Sequence, residues 1–215
     1  MHDQSGAKYS VSRLMAVLSF VFGGVLAGSR AGAVIIAPGQ SFPTTGAGTF
    51  SGTIVDDETS PFTNAVTFLG SLHSQVYQES NGWLDFVYQF SNNPNSVDPI
   101  TTYTVSSYND LFADADNKHV AGDVSPNQVE RSPLDTSSDD IISFLFSGVQ
   151  PGQTSDLLVV KTHATSFVEG SASFLDSVPA NVAAPVPVPE PATLGLLAVG
   201  IVGLVSRPGR KNAGR

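Results

Sequence analysis

The sequence predicts an all-β protein: a single antiparallel β-sandwich or jelly-roll-like domain, flanked by an N-terminal signal helix and a short C-terminal transmembrane helix. Three observations predict the central domain. Residues 83–90 alternate with period two, so Leu84, Phe86, Tyr88 and Phe90 share one face and Trp83, Asp85, Val87 and Gln89 the other. Asn81-Gly82 separates that run from another segment at 72–78, and both residues tolerate the positive φ of a tight hairpin. Between residues 34 and 182, no stretch sustains the 3.6-residue period of an amphipathic helix.

The first element is an address. Lys8 and Arg13 precede an apolar run at 14–27, whose 14 residues fall short of the roughly 20 that span a bilayer. Ala31-Gly32-Ala33 then matches the small-x-small pattern of a cleavage site. Residues 1–33 therefore read as a secretory signal peptide cut after Ala33, with Ala31 as the alternative.

The β domain is expected over residues 34–180. Its strands are predicted at 49–55, 65–69, 72–78, 83–90, 101–107, 141–146 and 157–165. The last two are rich in Ile, Leu, Val and Phe, as central strands would be, and Ser147-Gly148-Val149-Gln150-Pro151-Gly152-Gln153 turns the chain between them. Hydrophobic residues make up 41% of the chain and charged residues only 13%, which leaves ample material for a core. Residues 34–188 hold three basic residues against 17 acidic ones, a net −14. Such a domain repels nucleic acid, whose phosphates need Lys/Arg patches. The absence of cysteine removes disulfides, thiol catalysis and Cys-ligated metals.

Residues 181–188, with Pro185 and Pro187, read as a stiff polyproline linker that holds the tail clear of the domain. Residues 189–215 divide into Pro189-Glu190-Pro191, an uncharged apolar segment at 192–205, and a basic end with Arg207, Arg210 and Lys211. Basic residues stay cytoplasmic, which leaves the folded domain outside.

This tripartite tail resembles the PEP-CTERM sorting signal of Gram-negative bacteria. The resemblance implies an exosortase-type membrane protease as partner, with Pro189, Glu190 and Pro191 as the recognition triplet and Arg207, Arg210 and Lys211 as the basic stop. Pro208-Gly209 departs from the family's usual arginine run. The apolar segment would span about 21 Å of a hydrocarbon core of about 30 Å, which suits a transient stop in the inner membrane better than a permanent anchor. The implied destination is the cell surface or extracellular matrix. The centre also looks like a group of PEP-CTERM ectodomains of unassigned function, through Asn81-Gly82-Trp83-Leu84-Asp85-Phe86 and Pro151-Gly152-Gln153-Thr154-Ser155 with Lys161-Thr162. That likeness implies one β domain and no activity.

The acidic stretch at 109–118 reads as a loop in which Asp114 and Asp116, with Asp123, offer hard oxygen ligands at calcium-loop spacing. Lys118 stands where a ligand belongs, however, so a solvated loop without a cofactor is the simpler reading. His73, His119 and His163 lack metal-binding spacing, and no G-x-S-x-G elbow supports a serine nucleophile. Trp83, Tyr77, Tyr103 and Tyr108 could form a sugar-stacking platform, against the simpler reading of core packing. The sequence thus points to an exported surface or matrix protein without catalytic activity. The alternative is a carbohydrate-binding module for the cell's own exopolysaccharide.

Overall fold

The computed structural model describes residues 34–108, 112–133, 140–176 and 178–188. The signal segment with Ala31 and Ala33, the Pro-Glu-Pro triplet, the apolar segment and the basic end lie outside the described residues. Among the described residues no helix is long and apolar enough to cross a membrane.

The described residues form twelve strands in two six-stranded antiparallel sheets. In chain order they are β1 (Val34–Ile35), β2 (Ser41–Pro43), β3 (Thr53–Thr63), β4 (Leu69–Gln78), β5 (Leu84–Asn92), β6 (Ile100–Val105), β7 (Ala113–Lys118), β8 (Gln128–Arg131), β9 (Ile142–Val149), β10 (Leu157–Thr162), β11 (Phe167–Leu175) and β12 (Ala180–Pro187). The first sheet runs β1-β7-β10-β5-β4-β3 and the second β12-β11-β6-β9-β8-β2. Leu84, Phe86, Tyr88 and Phe90 point inward from β5 and are all essentially buried, as the alternation requires. Opposite them stand Tyr103, Phe144 and Phe174; the Phe90 and Phe174 rings meet edge to face at 5.0 Å. Rings in this geometry add attraction beyond their buried area.

The hairpin between β4 and β5 forms where Asn-Gly predicts it, with a different turn. The Gly82 amide donates to the Glu79 carbonyl and the Glu79 amide to the Trp83 carbonyl. Only Gly82 takes a positive φ, +90°; Asn81 instead accepts the Trp83 amide with its side-chain oxygen. The segment expected as a strand at 65–69 is the β3–β4 turn, because Asn64 Oδ1 accepts the amides of Val66, Thr67 and Phe68. That side-chain cap offers the backbone an alternative to a ladder.

Two corrections bear on function. The acidic stretch read as a loop contains β7, an inner strand of the first sheet; residues 109–111 lie outside the described part. Ala113 and Ala115 face the core while Asp114 and Asp116 face out. The linker expected at 181–188 is β12, paired along its whole length with β11 from Phe174↔Ala180 to Phe167↔Pro187. Val182, Ala184 and Val186 enter the core. Its prolines are tolerated because β12 is the edge of its sheet, where a missing N–H costs no ladder bond. Proline's fixed φ also suits an extended strand.

Candidate functional site

The outer face of the first sheet carries a row of charged side chains centred on Lys161. Antiparallel register sets it out in rows. Lys161 of β10 lies between Asp85 of β5 and Asp114 of β7, and the next row beyond it holds Trp83, His163 and Phe112. A strap of chain between β2 and β3 ties down this face. Thr45 donates its amide to Asp116 Oδ1 at 2.8 Å and its hydroxyl to Oδ2, Gly48 donates to the Asn117 carbonyl at 2.8 Å, and Ser51 donates to Asp85 Oδ2 at 3.1 Å. Gly52 ends the strap with φ of +110°; a Cβ there would stand 2.1 Å from the Gln78 carbonyl oxygen, so only glycine fits. The strap's Ser51 sits on Asp85, which is buried although it lies on the sheet's outward face.

Beneath the strap, Lys161 Nζ lies 3.1 Å from Glu79 Oε1 and 3.7 Å from Asp85 Oδ2. Burial pushes the Asp85 carboxyl up to about 6, against the pull of the Ser51 amide and the Lys161 charge. Burial also raises Asp114. For Glu79 burial acts in the same direction, but hydrogen bonds from Lys161 and Asn81 outweigh it and hold that carboxyl below its ordinary value. Asp85 Oδ1 and Asp114 Oδ1 are buried without a hydrogen-bond partner.

The aromatic candidates separate. Tyr103 and Tyr108 are fully buried between the sheets, so they cannot contribute to a platform. Tyr77 packs on Phe50 at 4.7 Å and donates to Gln75. Trp83 stacks on His163 at 3.8 Å, and His163 on Phe112 at 4.3 Å. Sequence spacing could not show this three-ring stack, since its members come from three strands' ends.

A second polar group centres on Asp156, just before β10. Its buried carboxylate accepts Asn117 Nδ2 at 2.7 Å, the Val120 amide at 2.9 Å and Ser125 Oγ at 2.6 Å, and lies 3.2 Å from His119 Nδ1. Burial would raise its pKa, but these hydrogen bonds, led by Ser125, hold it below the ordinary carboxylate value. A recess of about 390 Å³ opens above, lined by Thr45, Gly46, Asn117, His119 and Ser125 among others. Ser125, His119 and Asp156 therefore converge, which no spacing in the sequence announced. Their geometry is not that of a nucleophilic triad: Ser125 donates to the aspartate, and both oxygen groups approach the same nitrogen of His119. A triad requires the base to stand between the other two.

The Asp156 group ties the β7–β8 loop to the start of β10. Asp156→Ala is expected to cost about 2–4 kcal/mol, because several buried donors lose one acceptor. A depressed folded-state pKa contributes stability that is present above the unfolded value, near 3.8, and is lost as pH falls through the folded value. Urea melts at pH 7 and below pH 4 should therefore converge more closely in Asp156→Asn than in the wild type. An unchanged pH slope would contradict the assignment.

Asp114, Asp116 and Asp123 do not gather. Asp116 holds the strap, Asp114 faces Lys161, and Asp123 accepts Gln89 Nε2 at 3.0 Å. A loop would turn the first two toward one point; a strand draws them apart along its length. Among the described residues no three His, Asp or Glu side chains form a metal-ligating group. His73 lies 2.7 Å from Asp57 across β4 and β3. The described cations are all engaged: Arg131 with Asp140, Lys161 with Glu79, and Lys118 4.6 Å above the Phe50 ring.

Residues 187–211 match the family model of the PEP-CTERM protein-sorting motif. The chain thus carries a PEP-CTERM sorting signal, and the match begins on the last residue of β12. It contains Pro189, Glu190, Pro191, Arg207, Arg210 and Lys211. No curated protein and no solved structure matches the chain.

Proposed function

We propose that this is an exported bacterial surface protein, delivered through its PEP-CTERM signal and processed there by an exosortase-type membrane protease. Its β-sandwich then serves a structural or interaction role in the extracellular matrix, without catalysis. The observation that carries this reading is the sorting motif set directly against the last strand of a β-sandwich. The tail addresses the chain to the membrane, and the sandwich is its cargo. At the end of the sandwich where β12 begins, Val66 and Val97 are 70% and 75% exposed beside an apolar recess of about 490 Å³. Solvent-exposed apolar groups at the end away from the tail suit contact with a partner.

Mass spectrometry of the protein recovered from cells and medium tests the sorting. The expected mature chain starts near Val34 and ends within 189–191. Retention of an intact basic end in the inner membrane would refute processing.

Polysaccharide binding is the second reading, favoured by Trp83, which remains 37% exposed on the ring stack. Its test is affinity for the producing cell's exopolysaccharide and the loss of that affinity in Trp83→Ala.

A further inference from the structure

Lys161 and Asp85 are direct cross-strand partners on β10 and β5. Such pairs bring side chains into contact. Asp85 is 1% exposed beneath the strap, and one of its two carboxyl oxygens has no hydrogen-bond partner. Glu79, from the end of the β4–β5 hairpin, lies 3.1 Å from Lys161 Nζ, which is itself 3.7 Å from Asp85 Oδ2, so both carboxyl groups stand beside the one amine. Burial favours the neutral form of Asp85. An amine, a buried carboxylic acid and an adjacent carboxylate are thereby held together, the acid shielded from water and the other two partly exposed. This differs from a surface ion pair, in which both partners stay hydrated and ionised.

We propose that Lys161 and Asp85 condense to an intramolecular amide, with Glu79 as the proton-transferring base, so that β10 and β5 become covalently joined. Glu79 takes a proton from the Lys161 ammonium and frees the Nζ lone pair. That pair attacks Cγ of the protonated Asp85, a C–N bond forms, and the C–O bond to the hydroxyl breaks. The hydroxyl leaves as water with a second proton from the nitrogen, and Glu79 ends protonated. Atoms and charge balance with no oxidant or cofactor. Fixed placement of the groups supplies the high effective concentration such a reaction needs, Nζ lying 3.7 Å from Oδ2 of the carboxyl group it attacks. The product replaces an ammonium and a buried carboxyl group with a neutral amide, and it closes the chain between residues 85 and 161 in a protein with no cysteine to form a disulfide.

The test is the intact mass and tryptic map of the full chain, purified and denatured. The expected mass is lighter than the sum of the residues by one water. Trypsin should fail to cut after Lys161, and the peptides containing Asp85 and Lys161 should run as one branched species. Lys161→Arg keeps the charge and Glu79→Gln keeps both reacting residues; each should restore the unmodified mass. A wild-type chain of full mass that trypsin cuts after Lys161 overturns the proposal. So does a water loss that persists in Lys161→Arg, since the dehydration would then lie elsewhere. A water loss that persists in Glu79→Gln alone overturns the role of Glu79.

Discussion

Arg131→Ala is expected to lower the stability of the domain by about 3–5 kcal/mol, the cost of leaving a buried partner charge uncompensated. Arg131 and Asp140 are 4% and 2% exposed. Arg131 Nε donates to both Asp140 oxygens at 2.9 Å, and Nη2 donates to Oδ2 as well. The remaining donors reach the Ile36 carbonyl at 3.1 Å and the Tyr108 carbonyl at 2.9 Å. One guanidinium therefore joins β8 to the chain entering β9, to the residue after β1 and to the segment leaving β6. Alanine removes all of these at once and takes the guanidinium away from a buried carboxylate. The double replacement Arg131→Met with Asp140→Leu removes both charges and should recover much of the loss. Recovery stays partial because two buried carbonyls still lack their donor. Urea denaturation of the two single variants and the double gives the coupling directly. A single-variant loss below about 1 kcal/mol would mean that water reaches the pair, as at an exposed bridge.

The inner strands were legible because their chemistry agrees with their position. In β5, every second residue is large and apolar, and all four enter the core. In β7 that agreement fails: Ala113 and Ala115 fill the inward positions, and alternating Ala and Asp has little intrinsic preference for a strand. Pairing with β10 along six residues overrides that preference. For β12 the misleading residues were Pro185 and Pro187, which are compatible with a free linker and with an edge strand alike. Nothing local separates the two; the difference is that Phe167–Leu175 offers an unpaired edge. The sites were less legible than the strands. Asp85 and Lys161 are distant in sequence and meet only through register, as do Asn117, Ser125 and Asp156. By contrast, the presence of the sorting signal was legible, since it is a linear segment and residues 187–211 match its family model.

Ending the chain at Pro179 is expected to abolish cooperative folding, whereas ending it at Val188 should leave the melting transition intact. The shorter chain loses β12, and with it Val182, Ala184 and Val186 from the core and the ladder to β11. Two valines at about 1.5–3 kcal/mol each, with the exposed core beneath them, approach the 5–15 kcal/mol that stabilises an ordinary domain. Tyr88 loses its shorter hydrogen bond as well: its buried hydroxyl donates to the Pro185 carbonyl at 2.7 Å. Far-UV circular dichroism and thermal melts of the two truncated chains decide the matter, and equal melting temperatures would show that β12 is dispensable. If the contrast holds, it restricts processing. The Val188 amide is still bonded to the Ser166 carbonyl at 3.0 Å, so the domain is fixed up to the residue before Pro189. The four residues 188–191 reach about 13 Å when fully extended. A protease that cuts at the triplet must therefore work almost against the folded sandwich, and a cut that removed β12 would destroy the cargo it releases.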